Sequence, residues 1–230
     1  MKQPGQLRTD VFEFLERDEV GQRFNPGAWE GADVQYLDEL NAINGPILRQ
    51  HVFDAFRVST HKGITYSLVW GYPSGRTYAG TENDTNLKGA LRNPERLVDA
   101  VDSLIYASRN ALETVKRLNR QPGLGIASTT KVAYFAQLET GAGKCLIFDR
   151  QVTKASLTLD YPELAAFQAE LRSLYAKRKT NADLINVIAQ ANAAYPIYLD
   201  HAYKLARVIG RGVSGDEVER FLFEQGREIG

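Results

Sequence analysis

The chain has 230 residues, 43% of them hydrophobic, and its 28 basic residues balance 28 acidic ones. That length can bury a full core, and zero net charge argues against a non-specific nucleic-acid coat protein. The single cysteine, Cys145, excludes an internal disulfide and a cysteine-ligated iron–sulfur cluster, while no apolar run approaches the roughly 18 residues of a membrane span.

The elements read as helical almost throughout. Val11, Phe12, Phe14 and Leu15 suggest a short amphipathic helix. Val34 to Ile43 suggests a second, closed by Asn44-Gly45. Pro46 suits the first turn of a third, running through Phe56. Ile64 to Trp70 is apolar and short, so helix and strand stay open there. A polar, Gly-rich loop follows from Pro73 to Asp84. Asn93 is expected to cap a helix carrying Pro94 in its first turn and Leu97, Val98, Val101, Leu104 and Ile105 at helical spacing. Ala111 to Leu118 continues or restarts it.

Further helices are expected at about Pro162 to Lys177, Ala182 to Ala193 and Pro196 to Ile209. Ser214-Gly215-Asp216-Glu217 has the form of a capping box opening a last helix, with Val218, Phe221 and Leu222 inward. The fold class is therefore all-α, with little or no sheet and two lobes around a cleft.

The chemistry concentrates between Pro122 and Val152. Pro122-Gly123-Leu124-Gly125-Ile126 is a glycine-rich turn, and Ser128-Thr129-Thr130-Lys131 opens a helix behind it. Ser128 or Thr129 is expected to cap that helix. Lys131 would then lie in the first turn, where the helix dipole and partial burial disfavour an ammonium and lower its pKa. A lysine of that kind can form a Schiff base. Asp149 follows 18 positions later, after Leu146-Ile147-Phe148, as the expected cap of a helix from Arg150. Its carboxylate can stabilise positive charge on a sugar ring or activate water or the lysine. Free N–H groups of the Gly123 to Ile126 turn can grip a phosphate. Base loss from a nucleotide by attack at its sugar carbon suits this set.

These residues resemble the helix-hairpin-helix DNA glycosylase superfamily, and most nearly its small bacterial 8-oxoguanine-glycosylase-like proteins. Lys131-Val132-Ala133 and Asp149-Arg150-Gln151-Val152 carry the resemblance. Ser67-Leu68-Val69-Trp70-Gly71-Tyr72-Pro73 and Val218-Glu219-Arg220-Phe221-Leu222-Phe223 extend it. The resemblance implies a single glycosylase-like domain over residues 1–230. One lobe would be 1–92 with the C-terminal helices, the other 93–160 with the hairpin, Lys131 and Asp149.

It further implies Lys131 as nucleophile and Asp149 as the group supporting base departure. Gly123, Gly125, Ile126, Ser128, Thr129 and Arg150 would hold the DNA backbone. Trp70, Tyr72, Tyr198 and His201 are candidates for the base pocket, and Arg76 and Asn83 for a wedge. The expected partner is double-stranded DNA with a modified base, bound by a monomer in the cytoplasm without cofactor or metal. The pattern also departs from the superfamily. Gly125 lies six residues before Lys131, a longer hairpin than usual, and Arg150-Gln151 stands where a histidine is common.

Other readings compete for the same residues. Thr140 to Cys145 mimics a phosphate loop, but Leu138 and Cys145 occupy its required glycine and hydroxyl positions. His51, His61 and His201 have no metal-ligand spacing. Arg109, Lys116, Arg117 and Arg120 form a basic group ahead of the turn, either a solvated face or a DNA footprint. A non-catalytic hairpin module that binds DNA is the alternative function, and a helical protein–protein adaptor a third. Within the glycosylase reading, an 8-oxoguanine-like lesion and a hypermodified phage base such as glucosylated hydroxymethylcytosine both remain, as do repair and defence.

Overall fold

The computed structural model describes residues 2–75, 83–107, 110–175 and 181–229, with backbone alone for 83–86 and 181–183. Among them the chain is all-α. In order come α1 (Gln6–Leu15), α2 (Leu37–Asn41), α3 (Arg49–Val58), α4 (Thr60–Gly71), α5 (Asn83–Arg92), α6 (Glu95–Ile105) and α7 (Ala111–Leu118). Then follow α8 (Ile126–Phe135), α9 (Arg150–Thr158), α10 (Ala165–Leu174), α11 (Asn181–Ile188), α12 (Ala194–Ile209) and α13 (Gly215–Glu228). Among the described residues one small sheet pairs β1 (Glu139–Thr140) with β2 (Gly143–Lys144), antiparallel.

The open element at residues 64–70 is helical. Ser59 caps α4 by accepting from the Lys62 N–H at 3.1 Å, and every residue from Gly63 to Trp70 is buried. A helix apolar on all sides sits inside a core rather than on it. Gly63 makes this possible at one contact, since a Cβ there would stand 2.2 Å from the Phe56 ring.

Several boundaries differ from expectation for local reasons. Tyr36 adopts a left-handed conformation (φ 68°) and delays α2 to Leu37. Pro46 does not start α3, because Ile47 exchanges backbone hydrogen bonds with Gln22 in an isolated bridge and Leu48 is extended. The α6 helix begins after Pro94 without a side-chain cap. Pro162–Leu164 forms a separate 3-10 turn ahead of α10. The capping box at Ser214 forms as expected, with Glu217 N–H donating to Ser214 Oγ and Ser214 N–H to Glu217 Oε2.

Buried apolar side chains gather in two clusters. One joins residues of α1, α7 and α9 to α13; the other joins α2 to α6 with most of α8. The two hairpin helices divide between them, α7 and α8 each contributing to both clusters. The α8 helix is buried at every position from Ser128 to Phe135, so what it carries is held at the seam.

The α9 and α13 helices pack closely against each other. A Cβ on Gly226 would stand 2.0 Å from the Gln151 carbonyl oxygen, an atom of backbone that cannot swing away. Gly226→Ala is expected to destabilise the protein by about 3 kcal/mol, at the upper end for overpacking. Chemical denaturation measures this, and an unchanged midpoint contradicts the contact.

Candidate functional site

The α7–turn–α8 segment is a helix-hairpin-helix. Gly123 turns the chain at φ 85°, and Gly125 stands extended as the N-cap of α8. Within the described residues no acceptor takes the N–H of Gly123, Gly125, Ile126 or Ala127. A side chain at Gly125 would meet nothing within 4 Å, so the backbone is open to a close ligand. Lys116, Arg117 and Arg120 are exposed on the approach to this turn; Arg109 lies outside the described residues. Ile126 is buried in the core and offers only its backbone.

Two expectations about α8 need correction. Neither Ser128 nor Thr129 caps it. The helix starts earlier, at Ile126, so Thr129 Oγ1 bonds back to the Gly125 and Ile126 carbonyls and Ser128 Oγ meets Tyr72 Oη at 2.9 Å. Lys131 is consequently the sixth helical residue and lies beyond the first turn, out of reach of the strongest dipole field.

Its pKa is also not lowered. Burial disfavours the ammonium, but the Asp149 carboxylate, with Tyr72 and Glu219 adding to it, overrides burial and holds the lysine above its ordinary value. Only 4% of Lys131 and 7% of Asp149 is exposed.

The pair itself is tightly built. Lys131 Nζ donates to Asp149 Oδ2 at 2.7 Å. Asp149 Oδ1 accepts from the N–H of Gln151 at 3.0 Å and Val152 at 3.2 Å, capping α9. One carboxylate oxygen thus fixes the helix and the other the lysine. Thr130, not singled out in the sequence, sets the register: its Oγ1 bonds both the N–H and the carbonyl of Phe148. The residue before the lysine is thereby clipped to the residue before the aspartate. On the far side, a Cβ at Gly71 would lie 2.5 Å from Lys131 Cδ, and Lys131 Nζ lies 5.6 Å from the Tyr72 ring centroid.

The remaining expected residues are dispersed. Trp70 is 2% exposed and borders a surface pocket with Arg49 and Phe223. Tyr72 adjoins the lysine as described. Tyr198 is fully buried against Phe148, ring centroids 4.9 Å apart, and its hydroxyl has no hydrogen-bond partner among the described residues. Its own pKa is raised by burial and by the charges of Glu219 and Asp149. His201 stacks on Phe167 and pairs with Glu170 at 2.7 Å, a contact that ties α12 to α10. Arg150 Nε donates to Asn186 on α11 at 3.1 Å. Arg76 and the side chain of Asn83 lie outside the described residues.

A second buried ion pair lies near the first. Arg49 donates to Glu219 through both terminal nitrogens, at 2.6 and 3.2 Å, and Glu219 is fully buried. Among the described residues no cluster of three or more His, Cys, Asp or Glu could hold a metal ion.

A family model described as "Putative 8-oxoguanine DNA glycosylase OGG-like protein" matches residues 16–223. The chain belongs to this family. Membership makes it a DNA-glycosylase-like protein and implies binding to DNA. No curated protein and no solved structure matches the chain. No described helix is long and apolar enough to cross a membrane. The match spans the hairpin, Lys131 and Asp149, and it ends at Phe223 on α13.

Proposed function

We propose that the chain is a DNA glycosylase that excises a modified base through Lys131, with lyase competence from the same amine. The observation that carries this reading is the buried 2.7 Å contact between Lys131 Nζ and Asp149 Oδ2 directly behind the hairpin. The hairpin N–H groups and the exposed Lys116, Arg117 and Arg120 would bind the phosphate backbone, giving salt-dependent affinity. The target nucleotide would be flipped from the stack, at a cost of a few kcal/mol that falls when the base is damaged.

At the sugar, the Lys131 amine would attack C1′ as the glycosidic bond breaks. The base would leave with the bonding electron pair and take up a proton. Asp149 would stabilise the positive charge that develops on the sugar. Ring opening then yields an imine between C1′ and Nζ; a base removes a C2′ proton, a C2′–C3′ double bond forms, and the 3′ phosphate leaves with the C3′–O bonding pair, which completes the lyase step. Lys131 must first release its proton, because the resting pair holds it as an ammonium. Desolvation by the entering nucleotide works in that direction.

The substrate is an 8-oxoguanine-like lesion or a hypermodified phage base such as glucosylated hydroxymethylcytosine, for repair or for defence. The test is borohydride trapping and base release on a panel holding both, with abasic, alkylated and deaminated DNAs alongside. The expected result is a covalent adduct with one class of modified DNA. Salt-dependent binding with neither adduct nor release on any member would favour a non-catalytic hairpin module.

A further inference from the structure

We propose that Tyr72 is a positioning residue that closes over the Lys131 amine in the free protein, held there by the Ser128 hydroxyl. A nucleotide then reaches the amine by pushing the ring aside. The second step rests on the proposed role of Lys131; the closure stands on geometry.

The contacts around the amine leave one side to Tyr72. Asp149 Oδ2 holds Nζ at 2.7 Å, from a buried residue. Gly71 lies against the stem, where a Cβ would stand 2.5 Å from Cδ and 3.0 Å from Cε. It has no side chain with which to shield Nζ. The Tyr72 ring does so, its centroid 5.6 Å from Nζ, within the range of a cation–π contact. Lys131, Asp149 and Ser128 are buried, whereas Gly71, Tyr72 and Pro73 are half-buried and Ser74 is exposed. Among these residues the route from solvent to Nζ therefore passes the Tyr72 ring.

The ring is held from α8. Tyr72 Oη and Ser128 Oγ share a hydrogen bond of 2.9 Å. Ser128 lies three residues before Lys131, and residues at that spacing are neighbours on one face of a helix. Tyr72 thus spans the lysine and the residue one turn ahead of it. The ring contact alone is weakly directional, and the hydroxyl bond gives it a fixed place.

The backbone of Tyr72 is pinned as well, so opening is a side-chain movement. At the end of α4 its N–H donates to the Leu68 carbonyl at 2.9 Å, and its carbonyl accepts from the Gly75 N–H at 2.8 Å. The Pro73 carbonyl accepts from the Asn25 N–H at 3.1 Å. A change of side-chain rotamer keeps all three bonds and breaks the one to Ser128. The closed ring keeps small electrophiles from the amine until a nucleotide displaces it.

The test is reductive methylation of the whole, DNA-free protein by formaldehyde and cyanoborohydride. Mass spectrometry reads Lys131 beside the exposed Lys116 and the buried Lys154. In the wild type Lys131 is expected to lag far behind Lys116. Tyr72→Phe and Ser128→Ala each remove the holding bond, and each is expected to speed labelling of Lys131 about fivefold as the open form gains population. Tyr72→Ala removes the ring too and is expected to speed it by about 20-fold. Labelling of Lys116 and Lys154 should stay as in the wild type. A merely structural loosening would speed Lys154 together with Lys131. Should Tyr72→Ala fail to fold, the other two variants carry the test.

Cyanoborohydride trapping of abasic DNA tests the second step. The DNA concentration for half-maximal trapping is expected to fall about fivefold in Tyr72→Phe, because the nucleotide no longer works against the holding bond. An unchanged or higher concentration overturns that step. Wild-type Lys131 that labels as fast as Lys116, or folded variants that gain nothing, overturn the closure. A wild type that labels slowly but forms no adduct with any DNA overturns the proposed function, and the closure stands.

Discussion

Lys131→Gln is expected to abolish the borohydride-trapped adduct and to reduce base release by on the order of a thousandfold or more, as loss of a covalent nucleophile does. Glutamine is the informative replacement. Its amide can still donate to Asp149 Oδ2, now 2.7 Å from the lysine nitrogen, but it has no nucleophilic nitrogen and no charge. Arginine would keep the charge but would press a planar guanidinium into the space that Gly71 leaves for Lys131 Cδ.

Removing one partner of a buried ion pair commonly costs about 3 to 5 kcal/mol. Here the loss should fall nearer 2, because Asp149 keeps the two N–H donors at Gln151 and Val152. DNA affinity should stay within a few-fold of wild type, since the hairpin N–H groups and Lys116, Arg117 and Arg120 are untouched. Trapping, base release and binding are read on the same DNA. Normal base release by a folded Lys131→Gln removes the lysine from the mechanism.

How much of this is legible in the sequence depends on the range of the interaction. Capping is local chemistry, and both Ser214 with Glu217 and Asp149 with Gln151 and Val152 form as their spacing indicates. The pairing of Lys131 with Asp149 follows from a resemblance to a family motif, because nothing in a separation of 18 residues brings two side chains together by itself. The error over Lys131 comes from one turn of helix: α8 starts at Ile126, ahead of the expected Ser128 or Thr129 cap. The expected lowering of the Lys131 pKa fails for a separate reason, since a counter-ion at 2.7 Å outweighs burial.

The second ion pair left a signal that pattern reading passes over. Gly215, Val218, Glu219, Leu222 and Gly226 share the buried stripe of α13, and Arg49, Val52 and Ala55 that of α3. A charged residue on a core stripe is costly to bury unpaired, so each points to a partner without saying which. The two are 170 residues apart in sequence, and only the packing of α3 near α13 matches them. Thr130 is similar. A threonine inside a helix usually bonds its own backbone, and its bond to Phe148 depends on a loop whose path the sequence does not specify.

Asp149→Asn separates the two duties of that carboxyl and should split the reaction in two. Asparagine caps helices about as well as aspartate, so its side-chain oxygen should still accept from Gln151 and Val152. What disappears is the charge. Base excision is expected to fall by about 10²- to 10⁴-fold, as the positive sugar loses its stabilising carboxylate. Trapping of DNA that is already abasic needs no base departure, so it should survive.

Its pH dependence should also move, and the sign is fixed. In the wild type burial lowers the Lys131 pKa but Asp149 raises it further, to a net value above the ordinary one. Without the carboxylate the largest of the raising influences is gone, so the amine becomes available at lower pH and the trapping profile shifts acidward. Stability follows the same linkage. The raised lysine of the wild type stabilises the fold below its unfolded pKa, and that contribution is lost as pH rises through the folded value. In Asp149→Asn the folded value is expected to fall, so that the stabilising contribution of the buried ammonium at neutral pH shrinks. Melting temperatures of the two proteins should therefore differ at neutral pH and draw together as pH rises. A variant that loses excision and abasic trapping alike, with an unshifted profile and a constant melting gap, would mean that Asp149 only holds α9 and Lys131 in place.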